Sequence, residues 1–245
     1  MPSKQPVAPA PPASTYSDVD FKHLLEKDEV FKSQWDPSSN AKYLKTADAS
    51  RVATAKSALE KNGFGVHLVK DRVQAFNKIY ELIPEGASVA TAHSTTLEEV
   101  GFINYLSDGK HPWKNIKDAI FAEKDQAKQQ ELRRTLGGVP DAFLTSVIAV
   151  TEDGHLLTGD QVGNRVGILI HGSKQAIVVV GSNKIVKDDS EAMTRFKSHV
   201  LPAVDAYTRK VFGFPKITVG NVATVFISYP AQRIQVIIID ETLGF

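Results

Sequence analysis

Strands written as unbroken apolar runs and separated by helical segments predict an α/β fold: a mostly parallel, Rossmann-like sheet with helices on both faces. Three observations carry this. Runs such as AIVVV at 176–180 and VIII at 236–239 do not alternate with polar residues, which marks strands covered on both faces. The segments between them repeat apolar residues at helical spacing. The 245 residues are enough for one large domain, and a chain of this size buries roughly three quarters of its unfolded surface.

Taken in order, residues 1–16 are rich in Pro, Ala and Ser and read as a disordered tail. Residues 17–245 read as one α/β domain that includes the N-terminal helices. Phe21, Leu24, Leu25 and Phe31 predict an amphipathic helix over 18–32, and Pro37, Ser38 and Ser39 break the pattern over 35–40. Val52, Ala55 and Leu59 restart it over 50–61, where Asn62-Gly63 stops it. Residues 65–69 read as a strand, and Asp71 caps the helix that follows, with Val73, Phe76, Ile79, Tyr80 and Leu82 on one face. A strand over 88–92 runs into His93-Ser94-Thr95-Thr96 and one helix, LEEVGFINYL. Residues 116–136 predict a single solvated helix, and 142–150 (AFLTSVIAV) one apolar strand. A turn at Gly154, a loop over 159–164, a short helix over 165–170 and a strand over 175–180 follow. A long helix over 190–210 and a strand pair over 224–228 and 233–239 close the chain.

Composition excludes several function classes. There is no cysteine, so disulfides, zinc-thiolate sites, iron–sulfur ligation and thiol nucleophiles are out. A balance of 29 basic to 28 acidic residues, net +1, without a basic run, gives no nucleic-acid footprint. No segment approaches the ~18 apolar residues of a membrane span, and no signal-peptide core opens the chain, so the cytoplasm is expected. His93, His155 and His171 have no metal-ligand spacing, and neither a Walker loop nor GxGxxG nor GxSxG occurs. No metal and no cofactor are expected.

Three loops at strand ends can carry chemistry, since ligands of such sheets bind at the carboxyl ends of the strands. In the first, Ser94, Thr95 and Thr96 open a helix, where free N–H groups and hydroxyls suit a phosphate or carboxylate. An ordinary capping box with Glu98 accounts for the same residues. In the second, TEDGHLLTGDQVGNRV, Asp153 and Asp160 can act as acid or base, Asn164 opens a helix, and Arg165 can clamp a carboxylate. A hairpin turn followed by a cap is the alternative there. In the third, Lys184 follows the strand AIVVV and can meet negative charge, unless it is a plain surface lysine.

Residues from about 51 to 245 resemble the LUD domain, the lactate-utilisation family. The resemblance rests on SVATAHSTTLEEVGF, DAFLTSVIAVTEDGHLLTGDQVGNRVGILIHG, AIVVVGSNKIV and RIQVIIIDETLGF, in the family's order. It implies a NagB/ribose-isomerase/CoA-transferase-like fold and a link to lactate and organic-acid metabolism. Bacterial relatives resemble accessory parts of an iron–sulfur lactate-oxidising system. Many carry cysteines where this chain has VFGFPKITVGNVATVFISYP, so no cluster role is implied here. His93 is also bulkier than the small residues common at that place. The run 152–184 is similar, more distantly, to methylthioribose-phosphate isomerase, which puts Asp153 at that family's catalytic aspartate and Gly159-Asp160 and Asn164-Arg165 on its substrate-holding segment.

Three functions are compatible with these features. The first is a LUD-type protein that binds or acts on a small anionic metabolite, with Ser94, Thr95, Thr96, Asp160, Asn164, Arg165 and Lys184 holding the anion and Asp153 or Glu98 moving a proton. The second is a sugar-phosphate isomerase or a CoA transferase on the same fold, the latter with Glu98 or Glu99 as nucleophile. The third is a non-catalytic metabolite sensor or accessory subunit, with the Phe- and Val-rich stretch 211–229 as a homodimer surface. All three expect one shared cavity that brings the 94–96 turn to the Asp153/Arg165 segment.

Overall fold

The computed structural model of the chain describes residues 27–213 and 215–245. The expected tail and most of the expected 18–32 helix lie outside the described residues. Within them, Asp28 leaves helical geometry (φ −100, ψ 101) and its carboxylate accepts the Phe31 N–H, so a fresh helix begins, α1 (Glu29–Gln34). Asp36 caps a second short helix, α2 (Pro37–Asn40), whose first-turn proline gives up only an N–H that would lack a partner. The expected break is thus a cap followed by one helical turn. Helix α3 (Ala49–Lys61) buries Ala55 and Leu59; β1 (Gly65–Val69) and α4 (Arg72–Leu82), capped by Asp71, follow as the sequence indicates.

Strand β2 (Ser88–Thr91) then leads into two helices where one was expected. Gly101 sits at φ 82 and divides α5 (Thr95–Glu99) from α6 (Phe102–Ser107). The single helix expected over 116–136 is likewise divided, into α7 (Ile116–Ala122) and α8 (Gln126–Thr135), because Asp125 turns extended and caps the second piece. A two-residue strand that sequence reading missed, β3 (Lys114–Asn115), precedes α7.

The expected strand over 142–150 is two strands in two sheets. β4 (Ala142–Thr145) and β5 (Ala149–Thr151) are separated by a crossover at 146–148. β6 (Leu156–Asp160) extends into what reads as loop, and α9 (Asn164–Gly167) runs into a π-type turn, Ile168–Gly172. After β7 (Gln175–Gly181) and β8 (Ile185–Val186), α10 (Asp189–Arg195) and α11 (Leu201–Phe212) are joined by a widened turn, Phe196–Val200. β9 (Asn221–Val225) and β10 (Ile234–Ile239) are not the expected pair. β9 pairs antiparallel with β6, whereas β10 is inserted in parallel between β1 and β7.

The main sheet has six strands, all parallel, in the order β1-β10-β7-β4-β2-β3. Successive strand residues point to opposite faces, and both faces are covered. Phe143, Val178 and Val236 meet Ala55 and Leu59 of α3 on one side. Leu144, Ile177 and Ile237 meet Phe76 and Ile79 of α4 on the other. This double cover is why the strands carry no alternation, and it makes the fold α/β and Rossmann-like. A smaller mixed sheet, β8-β5-β6-β9, leans on the helix α10–α11 through Ala149, Leu157, Phe196 and Val200. Among the described residues no helix is long and apolar enough to cross a membrane.

Candidate functional site

Because the main strands are parallel and in register, their carboxyl ends finish together: Thr91 faces Leu144, Thr145 faces Val178, and Ile239 faces Gly181. The loops that leave these ends enclose a cavity of about 110 Å³. His93 to Thr96 come from the end of β2, Ser146 to Ile148 from β4, Lys184 from β7, and Phe245 from the segment after β10. Arg165 closes it from α9, and Val200, Val204 and Tyr207 from the α10–α11 helix. The 94–96 turn and Arg165, far apart in the chain, therefore share one cavity.

Lys184 is not a surface residue. It is 3 % exposed, and its Nζ donates to Thr96 Oγ1 at 3.0 Å and Ser146 Oγ at 3.1 Å. It makes no salt bridge among the described residues. Burial, then Arg195, lower its pKa, Glu99 opposes them and Arg165 adds to them, leaving the amine at about 7. The chain after β10 folds over this group. Gly244 donates its N–H to Glu99 Oε2 at 2.8 Å. At φ 61, a Cβ there would lie 2.3 Å from Thr96 Oγ1 and 3.1 Å from Lys184 Nζ, so only glycine fits.

Ser94 accepts the Leu97 N–H at 3.3 Å and serves as the helix cap. The helix it opens, α5, has five residues, so its dipole is slight and the polar character of the loop comes from its hydroxyls and neighbouring cations. Thr95 lines the cavity, and Thr96 is committed to Lys184. Arg165 ties two loops: its guanidinium donates to the His93 carbonyl through Nη2 and to Gly159 O at 3.1 Å through Nη1. Burial lowers its pKa, with Asp160 opposing. Among the described residues it has no salt bridge, and its Nε is buried without a partner.

Four sequence-derived site residues do not line the cavity: Asp153, Asp160, Asn164 and Glu98. Asp153 is exposed in the turn between β5 and β6. Its carbonyl and that of Gly154 accept from Asn62 Nδ2, at 3.0 Å each, so the turn is docked on the end of α3, away from the cavity. Asp160 is consumed locally: its carboxylate accepts the N–H groups of Gly163 (2.6 Å) and Val166 (2.8 Å) and Asn221 Nδ2 (3.1 Å). It shapes the loop that carries Arg165. Asn164 is exposed and lines a separate cleft of about 740 Å³ with Lys117 and Arg133.

Glu98 does not line the cavity. It is buried on the inner side of α5, with Oε1 3.4 Å from Nδ1 of His93, which does line it. Burial and then Glu99 raise the Glu98 carboxyl to about 8 against the pull of Lys117. Burial, Arg165 and Lys117 lower His93 to about 4. Near neutral pH the pair is therefore a neutral acid beside a neutral imidazole, with the proton on Glu98.

Sequence reading missed the inner wall. Arg195 is fully buried in α10; Nη1 donates to Ile148 O, its guanidinium lies 5.4 Å from the Tyr43 ring centroid, and Nε and Nη2 lack partners among the described residues. Burial lowers its pKa to about 9. His199, which accepts from Trp35 Nε1 at 3.0 Å, is held neutral by burial, Arg195 and Lys184, with its pKa at about 2. Tyr207, whose phenol burial pushes up, packs 5.2 Å from the His93 ring and stays a hydrogen-bond donor. The signal was present: Ala192, Arg195, Phe196, His199, Val200, Ala203 and Tyr207 share one helical stripe, and a charge within an apolar stripe must be buried. Among the described residues no group of three His, Asp or Glu could hold a metal.

No curated protein matches the chain. A solved DUF162 family protein from Deinococcus radiodurans is 16% identical over 78% of this chain and 97% of its own, with a TM-score of 0.43. The LUD domain family model matches residues 52–238, which takes in every loop of the cavity except the segment after β10, and the chain belongs to the LUD domain family.

Proposed function

We propose that the cavity binds a small organic carboxylate, in keeping with the link of LUD proteins to lactate utilisation. One observation carries the reading. Arg165 and Lys184 line the cavity and Arg195 adds its charge from the wall behind Lys184, yet none of the three has a carboxylate within salt-bridge reach among the described residues. Two buried guanidinium cations without counter-ions cost stability unless a ligand supplies the charge. The volume of about 110 Å³ is small beside the roughly 300–1,000 Å³ of drug-sized pockets. It suits a ligand of a few heavy atoms. Thr95, Ser146 and Lys184 face the carboxylate, and Val147, Ile148, Val204 and Phe245 pack its short carbon chain.

The sugar-phosphate isomerase alternative required Asp153 as base, and Asp153 is not at the cavity. A CoA transferase needs an exposed carboxylate nucleophile. Glu98 is buried behind His93, and Glu99 holds the Gly244 N–H. NMR titration with lactate, pyruvate, inorganic phosphate, a sugar phosphate and a CoA ester tests the reading. Shifts at His93, Ser146 and Lys184 with the small carboxylates support it; shifts with the phosphate compounds alone, or with none, overturn it.

A further inference from the structure

We infer that Lys184 is a covalent site, whose amine condenses with the carbonyl of a small 2-oxo acid held in the cavity to form a Schiff base. This rests on the carboxylate reading and goes beyond it by naming the reacting atom and the ligand class. A Schiff-base lysine must be neutral at working pH, must be held rather than waving in solvent, and must face a site that positions a carbonyl. Lys184 meets each condition. Its Nζ is fixed between Thr96 Oγ1 and Ser146 Oγ, both hydroxyls that can also receive or return a proton. No carboxylate of the described residues lies within salt-bridge distance to hold it as ammonium, and the cations Arg195 and Arg165 disfavour the charged form. An amine at about 7 is neutral in a large fraction of molecules at neutral pH, whereas an ordinary lysine near 10.4 is almost wholly protonated.

The step balances without an added reactant. The Nζ lone pair attacks the carbonyl carbon, and the carbonyl oxygen takes up a proton to give a carbinolamine. The C–O bond then breaks, the C=N bond forms, and the two amine hydrogens leave with the oxygen as one water. A proton taken from water and relayed by the Thr96 and Ser146 hydroxyls completes the iminium. Arg165 and Thr95 remain to face the carboxylate of the bound acid. A hydroxy acid such as lactate fits the same space and has no carbonyl to react, which makes it the natural control.

The experiment is reductive trapping. Full-length protein is incubated at neutral pH with pyruvate or with lactate in the presence of cyanoborohydride, followed by intact mass measurement and peptide mapping; binding of both acids is followed by NMR in parallel. The expected result is one reduced adduct on Lys184 with pyruvate, none with lactate, slower trapping when lactate competes, and no adduct in Lys184→Arg. Mapping on the unaltered protein stands whether or not that variant folds. Binding of both acids with no adduct at Lys184, or an adduct spread over exposed lysines at the same rate in Lys184→Arg, overturns the covalent site and leaves the carboxylate reading standing. Failure of both acids to bind removes both readings, and failure of pyruvate alone removes the covalent site.

Discussion

The Glu98–His93 contact makes a pH-dependent prediction whose sign is fixed. The Glu98 carboxyl is raised from 4.5 to about 8, chiefly by burial. Unfolded, it loses its proton near 4.5; folded, it keeps it to about 8. In that window the native state binds more protons than the unfolded state, so this group's contribution to stability is fully present below pH 4.5 and is lost as pH rises through 8. A tenfold change in proton affinity is worth about 1.4 kcal/mol. The rise from 4.5 to about 8 therefore amounts to up to about 5 kcal/mol of stability lost at pH 9 relative to pH 4, and the side chain is only 6 % exposed, so solvent screening removes little of it. Glu98→Gln keeps the shape and a donor for His93 Nδ1 and removes the titration. Urea unfolding of both proteins at intervals from pH 5 to pH 9 reads the difference. His93, lowered to about 4, contributes with the opposite slope between about 4 and 6.5, but it is common to both proteins and cancels to first order. The variant gains on the wild type steadily above pH 5, by a few kcal/mol at pH 9. Parallel stability curves across the range would refute the buried, neutral Glu98.

Other perturbations separate the residues that build the site from those that touch the ligand. Arg195→Met removes a buried charge with no counter-ion among the described residues, so it leaves stability unchanged or raises it by about 1 kcal/mol or more, while carboxylate affinity measured calorimetrically falls about tenfold or more; unchanged affinity would show that Arg195 lies outside the ligand's field. Asp160→Ala loses the carboxylate that accepts two backbone N–H groups and Asn221, costing about 1–2 kcal/mol in thermal or urea unfolding and weakening carboxylate binding through Arg165. Asp153→Ala, at an exposed turn, changes stability by less than about 0.5 kcal/mol and leaves binding as it was; loss of binding would restore Asp153 to the site. Gly154→Ala, by contrast, forces a side chain at φ +80 and sets a Cβ 2.5 Å from the Ala58 carbonyl carbon, so it costs about 1–3 kcal/mol from the backbone alone, read in the same unfolding assay.

The fold was legible because the inner main-sheet strands β10, β7 and β4 are buried on both faces and so print apolar runs, and because Asp71 marks a helix start through the hydrogen bond its carboxylate accepts. What escaped was decided by tertiary partners. AFLTSVIAV is one apolar run in sequence, yet Ile148 donates its N–H to Leu157 O while β4 pairs with β7. The run therefore changes sheets at Ser146, a switch no periodicity encodes. The same switch places Ser146 on the cavity floor, so the missed strand boundary and the missed site residue are one error. Hydroxyls and charges at strand ends were readable as a class, but Asp160 and Arg165, close in the chain with nothing in the pattern to rank them, took different roles. Gly163 at φ 86 turns the chain so that Asp160 caps the turn while Arg165 reaches across to His93.

The distribution of charge at the cavity argues for a division of labour. The polar residues that line the cavity's inner end come from strand ends, where backbone position is held by the sheet: Ser146 after β4 and Lys184 after β7. Residues that set the field around them come from helices packed against those ends: Arg195 from α10 and Glu99 from α5. Arg165 joins the layers, its guanidinium bonded to a carbonyl from each of two loops. A site built this way holds its amine well below the ordinary lysine range without removing positive potential from the cavity. That combination matches the proposed ligand, an anion at one end and an electrophile at the other. If the role of Lys184 were only to attract charge, its trapping rate would follow an ordinary lysine and keep climbing toward about pH 10; with its amine at about 7, the rate levels off by about pH 8.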